Sequence, residues 1–500
     1  MGKKLGTFLK TALFLIIAGC TLLIVIAATE RKESYIKNKV FFDEAKKDNI
    51  DVLFFGSSHV INGINPAVLY DEYGITSYNL GGHGSLLQES YWQLIRALEL
   101  CKPKYVVVDA YMLEKDYQFI DRMYEDSSDA DRQTSVDQLH LNMDAYPLSK
   151  LKIAAVNDLV QDPDIRRQFL FDFEVYHDRW KELTGEDFKK LTGNLEVNSL
   201  MGAEMRYGVK TDVDEYESAL EGETLPDITV GGNYLMKIID ECQRDGIGIV
   251  VTYLPFSATT TDQIAANSAE EIAAMYDVTC LNMLKAEGII DEAADLNDHG
   301  HLNVIGAKKV TEYIGDYFSS LGIFEDHRGD EKYKDYDEAA KAYKKELANY
   351  INDCADLPEK LNLLRESDLN VVLFVNEDSD ALTDSGLRHL ISNLSGTKAI
   401  DEGAAIGVSY LLIKDRTTGE VAESCGLVNL EGIHTALGDL NYIPIEKKFR
   451  LLYPTSDEES NFLYDDSHTS EDIQIILYDD NGDIVEHLYF TSAGREYVLS

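Results

Sequence analysis

Asp51-Val-Leu-Phe-Phe55 runs directly into Gly56-Ser57-Ser58-His59. A short continuous apolar run closed by glycine and small polar residues predicts a buried strand ended by a tight turn. The pattern returns downstream, where Ile75 to Leu80, Tyr105 to Asp109 and Ile247 to Leu254 each end near Gly, Pro or polar residues. Between these runs, Leu86 to Leu98 and Tyr234 to Cys242 carry the apolar spacing of helices. Strands alternating with helices predict an α/β fold, a mostly parallel, doubly wound sheet covered on both faces. Working residues in such sheets gather at the carboxyl ends of strands, and Ser58 stands at one such end.

The domain closes with His301-Leu-Asn-Val-Ile-Gly-Ala-Lys-Lys309, leading into a helix whose Val310, Tyr313, Ile314, Tyr317, Phe318 and Leu321 share one face. Residues 114–226 interrupt the alternation with a polar, aromatic-containing stretch that reads as a helical insertion, either a lid or a surface elaboration. Residues 325–345 are densely charged and read as a linker running into a solvated helix. A second unit, residues 346–500, follows as an α+β domain: strand-like Leu369 to Val375 and Val408 to Ile413, helix-like Thr383 to Leu394, and a hairpin. In that hairpin Ile473 to Tyr478 and Ile484 to Phe490 flank Asp480-Asn481-Gly482-Asp483, whose Asn-Gly tolerates the positive φ of a tight turn. Asp415 to Gly419 offers a comparable turn.

Asp and Glu number 89 against 46 Lys and Arg, a formal charge of -43. That excess repels nucleic acid and anionic lipid heads, so no nucleic-acid partner is expected. The six cysteines include no close pair of the kind that zinc ribbons or redox dithiols use, and neither a metal nor a cofactor is expected. Thr11 to Thr29 is uncharged and mostly apolar, close to the length that crosses the hydrocarbon layer once, so residues 1–30 read as a membrane anchor. Ile17-Ala18-Gly19-Cys20 also resembles a lipobox that would leave Cys20 lipid-bearing; the apolar continuation Thr21 to Ala28 favours the uncleaved anchor. Either way the chain is tethered, and the short tail before a large domain predicts an inside N-terminus with the main domains extracytoplasmic.

A serine hydroxyl is a weak nucleophile until a base takes its proton, and histidine does this well when a carboxylate fixes its tautomer. These three groups stand in two short motifs at opposite ends of the first domain, Gly56-Ser57-Ser58-His59 and Asp298-His299-Gly300-His301. Asp-x-x-His can bring both side chains onto one turn, which favours His301 over His299 as the base. The expected triad is Ser58, His301 and Asp298. His59, His83 and Asp109 are neighbours with either a site or a structural role.

Within the first domain, residues 31–324, these motifs resemble the SGNH (GDSL-like) hydrolase superfamily over residues 48–322, leaving out the insertion. Phe54-Phe-Gly-Ser-Ser-His-Val60 is similar to its first block, with Ser57 in place of the usual Asp. Tyr78-Asn-Leu-Gly-Gly-His-Gly-Ser85 is similar to the second, which makes Gly84 an oxyanion donor beside the Ser58 backbone N–H. Asp298 to His301, with Leu302-Asn303 and Gly306-Ala307, is similar to the last block. The third block departs: after Val106-Val-Val-Asp-Ala-Tyr-Met-Leu-Glu114, Leu113 stands about where the oxyanion asparagine belongs, and Tyr111 is the candidate substitute. A missing donor costs roughly a hundredfold to a thousandfold in rate. The resemblance implies an SGNH/flavodoxin-like fold and a serine esterase or O-acyltransferase acting on acyl esters of a cell-envelope glycan, with a membrane-bound O-acyltransferase as a further partner. The altered blocks leave open a weakened domain that binds glycan or docks such a partner. No Gly-x-Ser-x-Gly elbow surrounds Ser58, which argues against an ordinary α/β-hydrolase lipase. In the second unit, Leu369 to Asp378, Leu382-Thr-Asp384 and Gly407 to Ile413 resemble interleukin-like EMT-inducer domains, implying a lectin-like role.

Overall fold

The computed structural model describes residues 2–115, 128–171, 173–195, 198–426, 428–443, 448–452, 461–462, 473–493 and 496–499. The predicted apolar runs pair into a five-stranded, wholly parallel sheet in the order β2-β1-β3-β4-β5, with β1 Val52–Phe55, β2 Ser77–Asn79, β3 Tyr105–Asp109, β4 Gly248–Tyr253 and β5 Thr279–Asn282. Side chains alternate across a strand, so a two-sided sheet needs apolar residues at every position. In β1, Leu53 and Phe55 enter the core on one face while Val52 and Phe54 enter the core on the other; Val106 and Val108 oppose Val107 in the same way. Helices Leu87–Leu98 and Val230–Asp245 cover the first face, and Val304–Leu321 covers the second through Val310, Ile314 and Phe318.

The chain leaves β1 for β2 on one side and then crosses to β3 on the other. The carboxyl end of β1 is therefore the point where strand order reverses, the place where open α/β sheets form their crevice. Ser58 lies there.

Two segments differ from their sequence reading. Residues 325–345 are not a solvated linker: helix Lys334–Asp353 buries Tyr336 completely and sends Ala339 and Ala340 into the first core, while His327 Nε2 meets Asp51 Oδ2 at 2.8 Å. Small alanines on one face let a highly charged helix pack closely, and charge density masked that face. Strand β5 was also unforeseen, because Thr279-Cys-Leu-Asn282 is a short, partly exposed edge.

A separate antiparallel domain follows. Its six-stranded sheet has the order β15-β14-β13-β6-β7-β8, with β6 Asn370–Val375, β7 Tyr410–Asp415, β8 Glu420–Cys425, β13 Ile473–Tyr478, β14 Ile484–Ala493 and β15 Glu496–Leu499. Both expected turns form, with Gly419 and Gly482 at positive φ. Val371, Leu373 and Val375 face the helices Leu357–Leu363 and Ser385–Ser395. Val372 and Phe374 face Leu440 and Tyr442 of a four-stranded sheet that the sequence did not announce, formed by β9 Leu430–Thr435, β10 Gly438–Ile443, β11 Lys448–Leu452 and β12 Asn461–Phe462. The helix-covered core also takes in Val68, Val304 and Ile305 of the first domain, so the two domains share packed surface.

The N-terminal helix Gly2–Thr29 contains one stretch, Gly6–Thr29, long and apolar enough to cross a membrane. Cys20 is exposed on it.

Candidate active site

The turn after β1 is built without slack. Gly56 has φ 153°, and a Cβ there would stand 2.6 Å from Val60 Cγ2 and 3.0 Å from Asp109 Cβ. Ser57 caps the next helix, Ser58–Gly63, its hydroxyl accepting from the His59 N–H at 3.2 Å. Ser58 is thereby set at the first helical position, where a backbone N–H has no partner within the helix.

The Ser58 Oγ lies 2.9 Å from His301 Nε2, and His301 Nδ1 lies 2.8 Å from Asp298 Oδ1. Facing a carboxylate, Nδ1 carries the ring proton, so Nε2 is free to accept from the serine hydroxyl. Asp298 is held on both oxygens. Oδ1 also accepts from the Gly300 N–H at 3.0 Å, and Oδ2 accepts from Arg206 Nη1 and Asn297 Nδ2, each at 3.0 Å. Burial works against its charge, but the His301, Gly300 and Asn297 bonds outweigh it and hold the carboxyl below its ordinary range. His299, the competing base, instead pairs through Nδ1 with Asp214 Oδ2 at 2.6 Å.

The loop bearing Asp298 and His301 has its own supports. Asn303 caps helix Val304–Leu321 through its Oδ1 while its Nδ2 donates to the Ala294 carbonyl at 2.7 Å. Gly306 is required because a Cβ there would meet the Asp295 carbonyl oxygen at 2.3 Å. On the other side, Asn79 Nδ2 donates to the Val60 and Ile64 carbonyls, tying the end of β2 to the helix that begins at Ser58.

Gly84, the expected oxyanion donor, sits in the loop after β2 with φ 60°. That loop is fastened to the turn after β1 by the Gly82 N–H, which donates to the Gly56 carbonyl at 2.9 Å. Lys37 Nζ, buried, donates to the Gly81 carbonyl, and burial lowers the lysine below its usual basicity. His83 Nε2 is 3.2 Å from Glu204 Oε2.

Leu113 is buried in the core and supplies no polar side chain; its carbonyl accepts from Thr229 Oγ1. Tyr111 stacks on His59 with ring centroids 3.7 Å apart, and burial lifts its hydroxyl to about 12. His59 also meets the His301 ring edge-on at 5.5 Å; burial and the neighbouring His301 push it down to about 3, so it stays neutral. Asp109 is fully buried, accepting from the Leu254 and Tyr111 N–H groups and from Thr252 Oγ1, and burial lifts it to about 7. It joins the ends of β3 and β4 beneath the turn.

The insertion carries short helices between Asp129 and Thr192, and residues 198–226 then form an irregular strap across the carboxyl end of the sheet. The strap is pinned by the Asn79 N–H to the Met201 carbonyl, the Glu204 N–H to the Ile61 carbonyl, and the Val304 N–H to the Arg206 carbonyl. Its helix Asp129–Met143 lies against the Gly81–Ser85 loop, where Asn142 Nδ2 donates to the His83 carbonyl at 3.1 Å. Sequence reasoning missed Arg206, Glu204 and Lys37, which belong to no local motif and reach the site only through the fold, and also Asn297, which stands directly before Asp298 in the chain.

No family model matches the chain, and no curated protein matches it.

Proposed function

We propose that the protein is a membrane-tethered, extracytoplasmic serine esterase or O-acyltransferase of the SGNH type, acting on acyl esters, acetyl foremost, of a cell-envelope glycan. The observation that carries this reading is the unbroken relay from Ser58 Oγ through His301 to Asp298. In this chemistry Ser58 attacks the ester carbonyl while His301 takes the hydroxyl proton; the same imidazolium then protonates the departing alkoxide. Asp298 steadies the imidazolium without taking its proton. The acyl-enzyme is released by water or by an acceptor hydroxyl activated in the same way. Backbone N–H groups of Ser58 and Gly84 receive the developing oxyanion, in keeping with the resemblance to the family's first two blocks. The helical insertion and strap, packed on the Gly84 loop, favour a role in ordering the acceptor and limiting water.

A second reading has one observation in its favour: the position expected to supply an oxyanion asparagine holds the buried Leu113. A weakened domain would bind glycan or dock a membrane acyltransferase without turnover. Fluorophosphonate labelling of the full chain in detergent separates the two. Covalent labelling of the wild type and its loss in Ser58→Ala support the enzyme; no labelling of correctly folded wild type supports the binding module.

A further inference from the structure

The apolar helix does not end in a free linker. Its side chains from Leu13 to Val25 are exposed, whereas Ala28 and Thr29 are buried. What buries them is the insertion, roughly 150 residues further along the chain. Arg179 Nη1 donates to the Thr29 and Glu30 carbonyls, both at 2.8 Å, while its Nη2 donates to Asp187 Oδ1 at 3.0 Å. Lys190 pairs with Glu30 and stands 4.3 Å from the Tyr35 ring centroid. The four short helical segments Phe173–Tyr176, His177–Lys181, Glu186–Phe188 and Lys189–Thr192 all touch the apolar helix, forming a collar at its foot.

The level of this collar follows from helix geometry. Gly6 to Val25 spans about 30 Å at 1.5 Å per residue, the thickness of a bilayer's hydrocarbon core. Ile26 to Thr29 adds about 6 Å, which lies within the headgroup layer on that side. Residues that grip Thr29 and Glu30 therefore sit at the headgroup layer as soon as the helix spans a membrane. At this level the collar exposes large apolar side chains that its own fold leaves uncovered, Trp180 at 64%, Phe188 at 45% and Leu191 at 45%, and Phe171, which leads into it, is exposed at 60%. Water-facing loops of so acidic a chain have no use for such a concentration, whereas aromatic rings beside basic residues are favoured at the interface of a bilayer.

We propose that this collar is a second membrane-contact surface, with Phe171, Trp180, Phe188 and Leu191 seated in the headgroup layer of the bilayer that the N-terminal helix spans. The proposal rests on reading Gly6–Thr29 as a membrane span. Its consequence is orientation: the domain is held against the lipid at two points, so it cannot swing freely on its anchor. Lys37, which bonds the Gly81 carbonyl of the candidate oxyanion loop, is eight residues beyond Thr29, and that length of chain reaches at most about 28 Å. The candidate active site is therefore kept close to the membrane surface, which fits an acyl donor or glycan presented there.

The chain has only two tryptophans, Trp92 and Trp180. Full-length Trp92→Phe, reconstituted in phosphatidylcholine vesicles, leaves Trp180 as the sole reporter. Lipids brominated near the headgroup end of the acyl chain should lower its emission by about half or more, and lipids brominated near the bilayer centre should do so less. Trp180→Phe, reporting from Trp92, which is half-buried and bonded to Asp158, should show no such quenching, and circular dichroism verifies that both variants fold. If Trp180 is unquenched by bromolipid yet fully quenched by aqueous iodide while the protein floats with the vesicles, the collar proposal is overturned and the span survives. If the folded protein fails to float with the vesicles, the span itself is wrong and the collar proposal falls with it.

Discussion

Replacing Asp298 by asparagine should damage the relay through a specific mechanism, rotation of the new amide. In the native site Oδ1 faces two neutral donors, His301 Nδ1–H and the Gly300 N–H, whereas Oδ2 faces Asn297 and the cationic Arg206. An amide has one oxygen to offer, and hydrogen bonds to charged donors are roughly twice as strong as neutral ones. The oxygen of Asp298→Asn therefore turns to Arg206, and its NH2 turns to His301. Nδ1 then accepts, Nε2 carries the proton, and the serine loses its base. The expected loss is about 10⁴-fold, or about 5.5 kcal/mol of barrier. Removing Arg206 as well leaves only neutral Asn297 on that side, so the amide should rotate back and restore the working tautomer. Arg206→Ala/Asp298→Asn should accordingly react about tenfold or more faster than Asp298→Asn alone, the reverse of additive damage. The assay is the rate of fluorophosphonate labelling at Ser58 near neutral pH, with circular dichroism to verify folding. A folded Asp298→Asn that retains more than a tenth of wild-type rate would refute the tautomer argument, and a double variant no faster than the single would refute Arg206 as its cause.

Gly56→Ala forces a Cβ into Val60 and Asp109 at a φ that side chains avoid, and should cost about 2–4 kcal/mol in denaturant unfolding; a loss below about 0.5 kcal/mol would contradict the packing described. Asp109, lifted to about 7 by burial, binds a proton in the folded state that the unfolded chain releases near its ordinary value of 3.8, so its contribution to stability falls as pH rises between those values and levels off above about 7. Asp109→Asn should flatten that part of the stability–pH curve, and parallel curves for variant and wild type would disprove the assignment. Arg365→Ala withdraws from the fully buried Asp295 a partner at 3.4 Å while Lys309 remains, so a cost of about 1–3 kcal/mol is expected, together with slower labelling at Ser58. An unchanged melting curve and labelling rate would show that this contact does not support the His301 loop.

What could be read directly was whatever obeys a local rule. Val52 to Phe55 and Val106 to Val108 are apolar at successive positions because both faces of their strands are buried, and their short length between polar or glycine-containing flanks marks them as strands. The Asn481-Gly482 turn was legible for a similar reason, since few residues accept its backbone angles. The buried face of helix Lys334–Asp353 was hidden because alanine and tyrosine mark a packed surface weakly when charges surround them. Strands β9 and β10 were hidden because much of their side-chain surface is solvated and their alternation is diluted by Glu431, Gly432, Asp439 and Asn441. In the site, Ser58, His301 and Asp298 could be nominated from motif chemistry alone. Arg206 could not, because nothing in Glu204-Met-Arg-Tyr207 signals that the strap will cross the sheet and deliver a guanidinium to Asp298.

The relay is assembled from opposite ends of the first domain, which places unusual demands on the loop that carries His301. Ser58 gains its position from a strand buried on both faces and a glycine with no room for a side chain; little beyond the first sheet is needed to hold it. His301 has no comparable strand beneath it. Its loop is held instead by neighbours on three sides: the strap through the Lys210 N–H to the Leu296 carbonyl, its own helix through Asn303, and the C-terminal domain through Asn362 Nδ2 to the Ala294 carbonyl at 2.6 Å and His389 to Asp291 at 2.6 Å. A catalytic contact must be held to within a fraction of an ångström to be useful, and a loop reaches that precision only when what surrounds it is fixed. The C-terminal domain thus helps to fix the loop that carries His301, because the same residues that join the two domains also limit where that side chain can stand.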